Sequence, residues 1–206
     1  MKARAFKNHY TIDGGRYDRL TSVLGYFQPQ ELIDWKMKVG PEEAERIGGE
    51  ARAIGTRVDE IAGMIFKGEE YDLKDDCQGV LNCVEGYKRW LAEEKPSIQD
   101  YQVTCKTDEM GVAGTMDLLL DDTIVDIKCA NKISPNHWLQ VNMYNYMWSS
   151  MHGIGKIGVL KVPKVGILRL DKLTSEYTYE VQPYDYKMVM IYGGLLKYYR
   201  YVKGVG

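Results

Sequence analysis

Asp117, Asp126 and Lys128 lie within a dozen residues of one another and are of types that can hold a hard cation beside a phosphate. Two apolar runs, Val112 to Leu120 and Thr123 to Cys129, flank Asp121-Asp122, which suits a two-residue hairpin turn. Alternation along each strand places Thr115, Asp117 and Leu119 on one face with Ile124, Asp126 and Lys128. Met116, Leu118, Leu120, Val125, Ile127 and Cys129 then form the opposite, core-directed face. In that register Asp117 stands directly across from Asp126, an arrangement that repels. A divalent cation bound between the two carboxylates would reverse the sign, since magnesium prefers hard oxygen ligands. Lys128, one alternation beyond Asp126, would put an ammonium at the edge of the same site. The plain alternative is a solvated outer face with charges scattered on it.

Pro135 to about Met151 reads as a helix, on which Gln140 and Tyr144 are four apart and share a face, with His137 one turn earlier. A helix following the second strand can lay this face over the carboxylates, although Tyr144 with Met143 and Met147 would also make an ordinary core. Earlier, Asp13-Gly14-Gly15 reads as a turn in an extended arm. Thr21 or Ser22 is placed to cap a short helix through Leu24, and Pro29-Gln30-Glu31 opens another through Met37. Pro41-Glu42-Glu43 starts a helix expected to reach about Lys67 with interruptions at Gly48-Gly49 and Gly55. Cys77 to Glu93 is a further helix. Strands are expected at Ile98 to Thr107, Ile157 to Val162, Gly166 to Leu170 and Tyr177 to Val181, with a closing helix from Tyr184 to Val202. This order implies one α/β domain over residues 1–206, with a helical part at about 17–95 and a mixed sheet with helices from about 96.

Composition narrows the function. Of 206 residues, 45% are hydrophobic and 27% charged, ordinary values for a globular protein of this length. No apolar run approaches membrane-spanning length, and no signal-type core follows Met1, so a cytoplasmic protein with no membrane partner is expected. Cys77, Cys83, Cys105 and Cys129 lack C-x-x-C spacing and read as reduced core thiols. From Ile127 onward there are 11 Lys and Arg against 4 Asp and Glu, whereas the residues before it carry 16 against 25. A basic part beside a carboxylate-rich one suits a protein that grips phosphates and holds cations. Lys156, Lys161, Lys164, Arg169 and Lys172 are positioned to follow a nucleic-acid backbone or to solvate a sheet edge. His9, His137 and His152 make no zinc motif, Gly153 to Gly158 lacks the Lys-Ser/Thr ending of a P-loop, and no G-x-S-x-G elbow is present.

Taken in order, Gly114-Thr115-Met116-Asp117, Asp126-Ile127-Lys128 and Gln140-Val141-Asn142-Met143-Tyr144 resemble the G-x-x-D, D/E-x-K and Q-x-x-x-Y motifs of the PD-(D/E)XK nuclease superfamily. The likeness is to its RecB-like exonucleases, which include Cas4, the mitochondrial genome maintenance exonuclease and many phage proteins. Tyr17 to Leu24 and Leu32 to Trp35 resemble the family's N-terminal segment, and Gly55-Thr56-Arg57-Val58 its G-T-x-x-H helix start. Asp59 stands where the family's metal-binding histidine usually follows, and Gln102 where it often has a glutamate. The resemblance implies a restriction-endonuclease-like core and a magnesium-dependent (or manganese-dependent) deoxyribonuclease, most naturally an exonuclease on DNA ends or single strands. An endonuclease on the same fold and a catalytically silent nucleic-acid-binding module are the alternatives. It implies Asp117 and Asp126 as metal ligands, with the Ile127 carbonyl and Asp59 as further donors. Lys128 would orient or deprotonate water, while Gln140 and Tyr144 would position water, lysine or nucleic acid. No cysteine follows Cys129, so no iron–sulfur cluster is expected.

Overall fold

A computed structural model describes residues 1–153 and 162–204. The expected strand at Ile157 to Val162 therefore falls almost wholly outside the described residues. The chain opens with β1 (Ala3–Ala5), β2 (His9–Ile12) and β3 (Gly15–Arg19), two hairpins whose second turn is Asp13-Gly14. Helices α1 (Leu20–Tyr26), α2 (Gln30–Val39), α3 (Pro41–Lys67) and α4 (Gln78–Glu94) follow. Then come β4 (Ile98–Thr107), β5 (Val112–Leu120), β6 (Thr123–Lys128), α5 (Pro135–Met151), β7 (Lys164–Leu170), β8 (Tyr177–Pro183) and α6 (Tyr186–Lys203).

The strands form one mixed sheet of order β1-β2-β3-β5-β6-β7-β8, with β4 also pairing β5. On one face, Leu20, Val23 and Leu24 of α1, the apolar residues of α5, and Val189, Tyr192 and Leu196 of α6 cover Val165 and Ile167 of β7. On the other, Val58 and Ile61 of α3 and Val80 to Trp90 of α4 cover Val125, Ile127, Leu168 and Leu170. The result is the expected α/β architecture, a mixed central sheet flanked by helices. Among the described residues no helix is long and apolar enough to cross a membrane.

Three local expectations change. Helix α3 runs unbroken through Gly48, Gly49 and Gly55. Each glycine costs roughly 1 kcal/mol in a helix interior, but Arg46 pairs with Glu43 and Glu50 within the helix, and Val58, Ile61 and Ala62 bury against α4. Neither Thr21 nor Ser22 caps α1. The helix begins at Leu20 directly after β3, and the Thr21 hydroxyl instead accepts from Arg19 Nε at 3.1 Å. The extended N-terminal arm is itself part of the sheet, because its strands pair in turn and β3 joins β5 in parallel at Asp18↔Val112 and Arg19↔Ala113. The four cysteines are free thiols as expected, with Cys83 and Cys105 buried but Cys77 exposed at the start of α4.

Strand β5 positions everything that follows. One edge pairs with β4 along nearly its whole length. The other pairs with β3 only at Val112 and Ala113, and with β6 only at Leu118 and Leu119. Gly114 to Asp117 thus lie on an edge left open between two diverging strands. A fork of this kind leaves backbone groups and side chains facing a gap rather than a neighbouring strand.

Candidate active site

The fork is lined by Gly114, Thr115 and Asp117 of β5, by Asp126, Ile127 and Lys128 of β6, and by Gln140 and Tyr144 of α5. Asp59 of α3 and Gln102 of β4 close one side; Tyr10, Arg19 and Thr21 close the other. Together they bound a polar cavity of about 290 Å³. All the sequence-predicted site residues, Asp59, Asp117, Asp126, Ile127, Lys128, Gln140 and Tyr144, are on this wall. Thr115 is on the face that alternation gave it, whereas spacing along the chain gave no sign of Tyr10, Arg19 or Thr21, which arrive only because β2, β3 and the start of α1 reach the fork.

The geometry departs from the simple hairpin in a way that matters. The pairs Leu118↔Val125 and Leu119↔Ile124 keep the expected register. Beyond them β6 leaves β5, and Asp117 does not meet Asp126 across a ladder. Asp117 Oδ2 instead accepts from the Ile127 backbone N–H at 2.8 Å, standing in for a strand carbonyl across the opening fork.

The expected face assignment also changes. Leu118 and Leu120 pack towards α3 and α4, but Met116 packs towards α5. The same switch occurs next door, where Tyr101 lies with one cluster and Val103 with the other. Between them Gln102 has φ 55°, a left-handed conformation unusual for a residue with a side chain. Both strands therefore reverse their sides at the level of Gln102 and Asp117. Strict alternation cannot foresee such a break, and irregularities of this kind recur where a strand must re-aim a side chain beside a site.

Asp126 is only 1% exposed, and Lys128 Nζ lies 2.6 Å from its Oδ2, the Lys128 side chain being 22% exposed. Oδ1 accepts from Gln140 Nε2 at 3.1 Å, and the same amide nitrogen donates to the Tyr144 hydroxyl at 2.9 Å. The i, i+4 spacing of Gln140 and Tyr144 thus makes a two-step polar support for one carboxylate oxygen. Asp126 Oδ2, by contrast, has no hydrogen-bond partner of good geometry. His137 is held elsewhere: its Nδ1 accepts from the Ser134 backbone N–H at 3.2 Å, at the start of α5.

Charge is crowded here. Burial, and then the nearby Asp126 and Asp59 carboxylates, raise the Asp117 pKa well above the ordinary range. Burial likewise pushes Asp59 up to about 6, with Lys128 opposing and Asp126 adding to the shift. For Lys128, burial favours the neutral amine, but Asp126, Asp117 and Asp59 outweigh it and the ammonium is held above its usual value. Lys128 thus faces three carboxyl groups. The donor chemistry fits a hard divalent ion: oxygen ligands, mutual repulsion, and one buried oxygen lacking a hydrogen bond. As placed, no three His, Cys, Asp or Glu side chains among the described residues form a ready cage, and Lys128 is ion-paired with Asp126 Oδ2.

Two close packings explain why glycine occurs where it does. A Cβ on Gly114 would lie 2.7 Å from Tyr144 Cε1, so the first residue of G-x-x-D makes room for the last residue of Q-x-x-x-Y. A Cβ on Gly63 would meet Tyr101 Cε1 at 2.9 Å, and the Tyr101 hydroxyl donates to the Asp59 carbonyl, docking α3 beside the fork. Gly114→Ala is expected to push the buried Tyr144 ring and, through Gln140, loosen Asp126. Thermal melts should show a loss of about 1–3 kcal/mol, as overpacking does, with a larger fall in any activity than in stability.

An α/β/α sandwich with a carboxylate-lined fork at the centre of its sheet is the class of protein these features define. No protein-family model matches the chain, and no curated protein is similar to it in sequence. Among solved structures, a candidate exonuclease from Eubacterium rectale matches 76% of this chain and 68% of its own at 15% identity, with a TM-score of 0.50. An alkaline exonuclease from Laribacter hongkongensis matches 88% of this chain and 84% of its own at 11% identity, with a TM-score of 0.45. The likeness to the Eubacterium rectale protein shows a shared fold, so the mixed sheet expected from the resemblance is the one present.

Proposed function

We propose that this protein is a divalent-metal-dependent nuclease that hydrolyses phosphodiester bonds in DNA, most simply as an exonuclease on ends or single strands. The observation that carries this reading is the convergence of Asp117, Asp126 and Lys128 on one polar cavity, with Gln140 and Tyr144 supporting Asp126 from behind. Asp117 and Asp126 would hold magnesium or manganese, with Asp59 and the Ile127 carbonyl as additional oxygen donors. When bound, such a cation lowers the pKa of water and neutralises charge on phosphate oxygens.

The protein's own groups supply the rest. Lys128 carries its proton on Nζ and can donate to a phosphate oxygen or orient the attacking water. Tyr144 stays protonated, since burial and then Asp126 raise its pKa far above neutrality, so its hydroxyl can donate into the cavity while accepting from Gln140. Gln140 fixes the Asp126 carboxylate plane and leaves Oδ2 facing the cavity side occupied by Lys128.

End-labelled single- and double-stranded linear DNA and closed circular DNA, each with magnesium, manganese or EDTA, test this directly. Labelled products are expected from linear substrates with either metal and none in EDTA. Cleavage that persists in EDTA would remove the metal from the reading, and circles cut as fast as linear DNA would replace an exonuclease by an endonuclease. No cleavage of any substrate with either metal would refute the nuclease itself.

A further inference from the structure

The basic excess of the C-terminal part does not surround the cavity. Lys164 pairs with Asp122 at 2.6 Å and Arg169 with Asp171 at 3.0 Å, so these two expected backbone contacts are already engaged, while Lys156 and Lys161 lie outside the described residues. Apart from Lys172, which also has no acidic partner among the described residues, the unpaired basic charge described in this part of the chain is on α6. That helix has no Asp or Glu from Tyr186 to Lys203, and Lys187, Lys197 and Lys203 have no acidic partner among the described residues. Arg200 is different, since it donates to Asp18 at 2.8 Å and to the Met110 carbonyl, anchoring α6 to the sheet.

The outward face of α6 is also aromatic. Tyr198 is 56% and Tyr201 84% exposed, and at helical spacing they share a row with Lys187, Ile191 and Gly194. This row joins α1. Tyr26 meets Tyr199 edge-on at 5.6 Å, Phe27 meets Tyr198 at 5.9 Å, and Lys203 Nζ sits 5.5 Å from the Tyr26 ring centroid. Helix α1 begins beside Arg19 and Thr21, which wall the cavity, and its solvent-facing side runs from Thr21 and Ser22 to Gly25 and Tyr26. At 1.5 Å per residue, Tyr26 is roughly 8 Å along the helix from Thr21. The aromatic and basic strip therefore ends at Tyr26, on the same short helix whose first turn walls the cavity.

We propose that the exposed faces of α1 and α6 bind single-stranded nucleic acid, with Tyr26, Tyr198 and Tyr201 stacking on bases and Lys197 and Lys203 meeting phosphates. The inference rests on the nuclease reading, whose cavity it supplies with strand. Charge selects this occupant. A second copy of the chain would set lysines against lysines across a face with no carboxylate to pair them. A single strand offers regularly spaced phosphates and π-faces, and stacking tolerates any base sequence.

Fluorescence anisotropy of a labelled oligothymidylate in EDTA measures this binding without cleavage. Tyr198→Ala with Tyr201→Ala is expected to weaken single-strand affinity by about tenfold or more, while hardly changing affinity for blunt duplex. Lys197→Gln with Lys203→Gln should reduce the slope of log affinity against log salt by about 1.4. Photocrosslinking of a bromouridine strand to the unmodified protein should label α6, a readout that needs no variant. Unchanged single-strand affinity in both variants, or crosslinks confined elsewhere, overturns the proposal. So does a wild-type dimer that Tyr201→Ala dissociates with DNA affinity unchanged, because the face then belongs to a second copy. Failure of the wild type to bind the strand in EDTA also overturns it, even if magnesium-dependent cleavage is present; binding without cleavage would instead sink the nuclease reading alone.

Discussion

Lys128→Ala is expected to lower DNA cleavage by about a thousandfold, the scale seen when a donor aimed at developing charge is removed. The same change should destabilise the metal-free protein, for a separate reason. Lys128 Nζ is 2.6 Å from a carboxylate that is almost fully buried, and Asp117 and Asp59 add charge of the same sign nearby. Taking away one member of a buried pair leaves the other uncompensated, typically at a cost of about 3–5 kcal/mol. Because the Lys128 side chain is partly exposed, the lower end of that range applies. Magnesium should restore much of the lost stability, since a cation at Asp117 and Asp126 replaces the missing positive charge, yet it should not restore cleavage. Melting curves with and without magnesium, set beside rates on end-labelled DNA, separate the two roles. A variant as active as the wild type, or one whose melting ignores magnesium, contradicts the assignment of Lys128.

The second large effect is expected at Asp117, where charge and hydrogen bonding pull in opposite directions. Asp117→Asn keeps an oxygen able to accept from the Ile127 N–H and removes the charge. Cleavage should fall by at least about a hundredfold, whereas the metal-free protein should become more stable. Asp117→Ala loses the acceptor as well, orphaning a buried N–H at a cost of about 1–3 kcal/mol. It should be inactive and no more stable than the asparagine variant.

The sign of the pH dependence follows from the raised pKa values of Asp117 and Asp59. A carboxyl that holds its proton more tightly when folded contributes stability below its unfolded pKa and loses it as pH rises through the folded value. Metal-free stability should therefore decline as pH rises from about 4, through about 6 where Asp59 ionises and through the raised value of Asp117. The advantage of Asp117→Asn should grow over that interval. An asparagine variant less stable than wild type in EDTA, or with a pH profile parallel to it, would show that the carboxylates do not repel as described.

Much of this protein can be read from residue order. The hairpin turn, the β5–β6 register at Leu118↔Val125, the spans of β4 and β5, and the helical spacing of Gln140 and Tyr144 are local properties. They depend on alternation, turn chemistry and 3.6-residue periodicity, which act over a few neighbours. What those rules could not supply is the fork. Whether Asp117 faces Asp126 in a ladder or bonds to the Ile127 N–H depends on β3 and β6 both leaving the edge of β5 within a few residues. The coordinated reversal of sides at Gln102 and Asp117 depends on two adjacent strands yielding together. Arg19, Thr21 and Tyr10 enter the site from about a hundred residues away. Long-range packing, not propensity, decides such meetings, because each is settled by how helices on both faces compete to bury the same sheet.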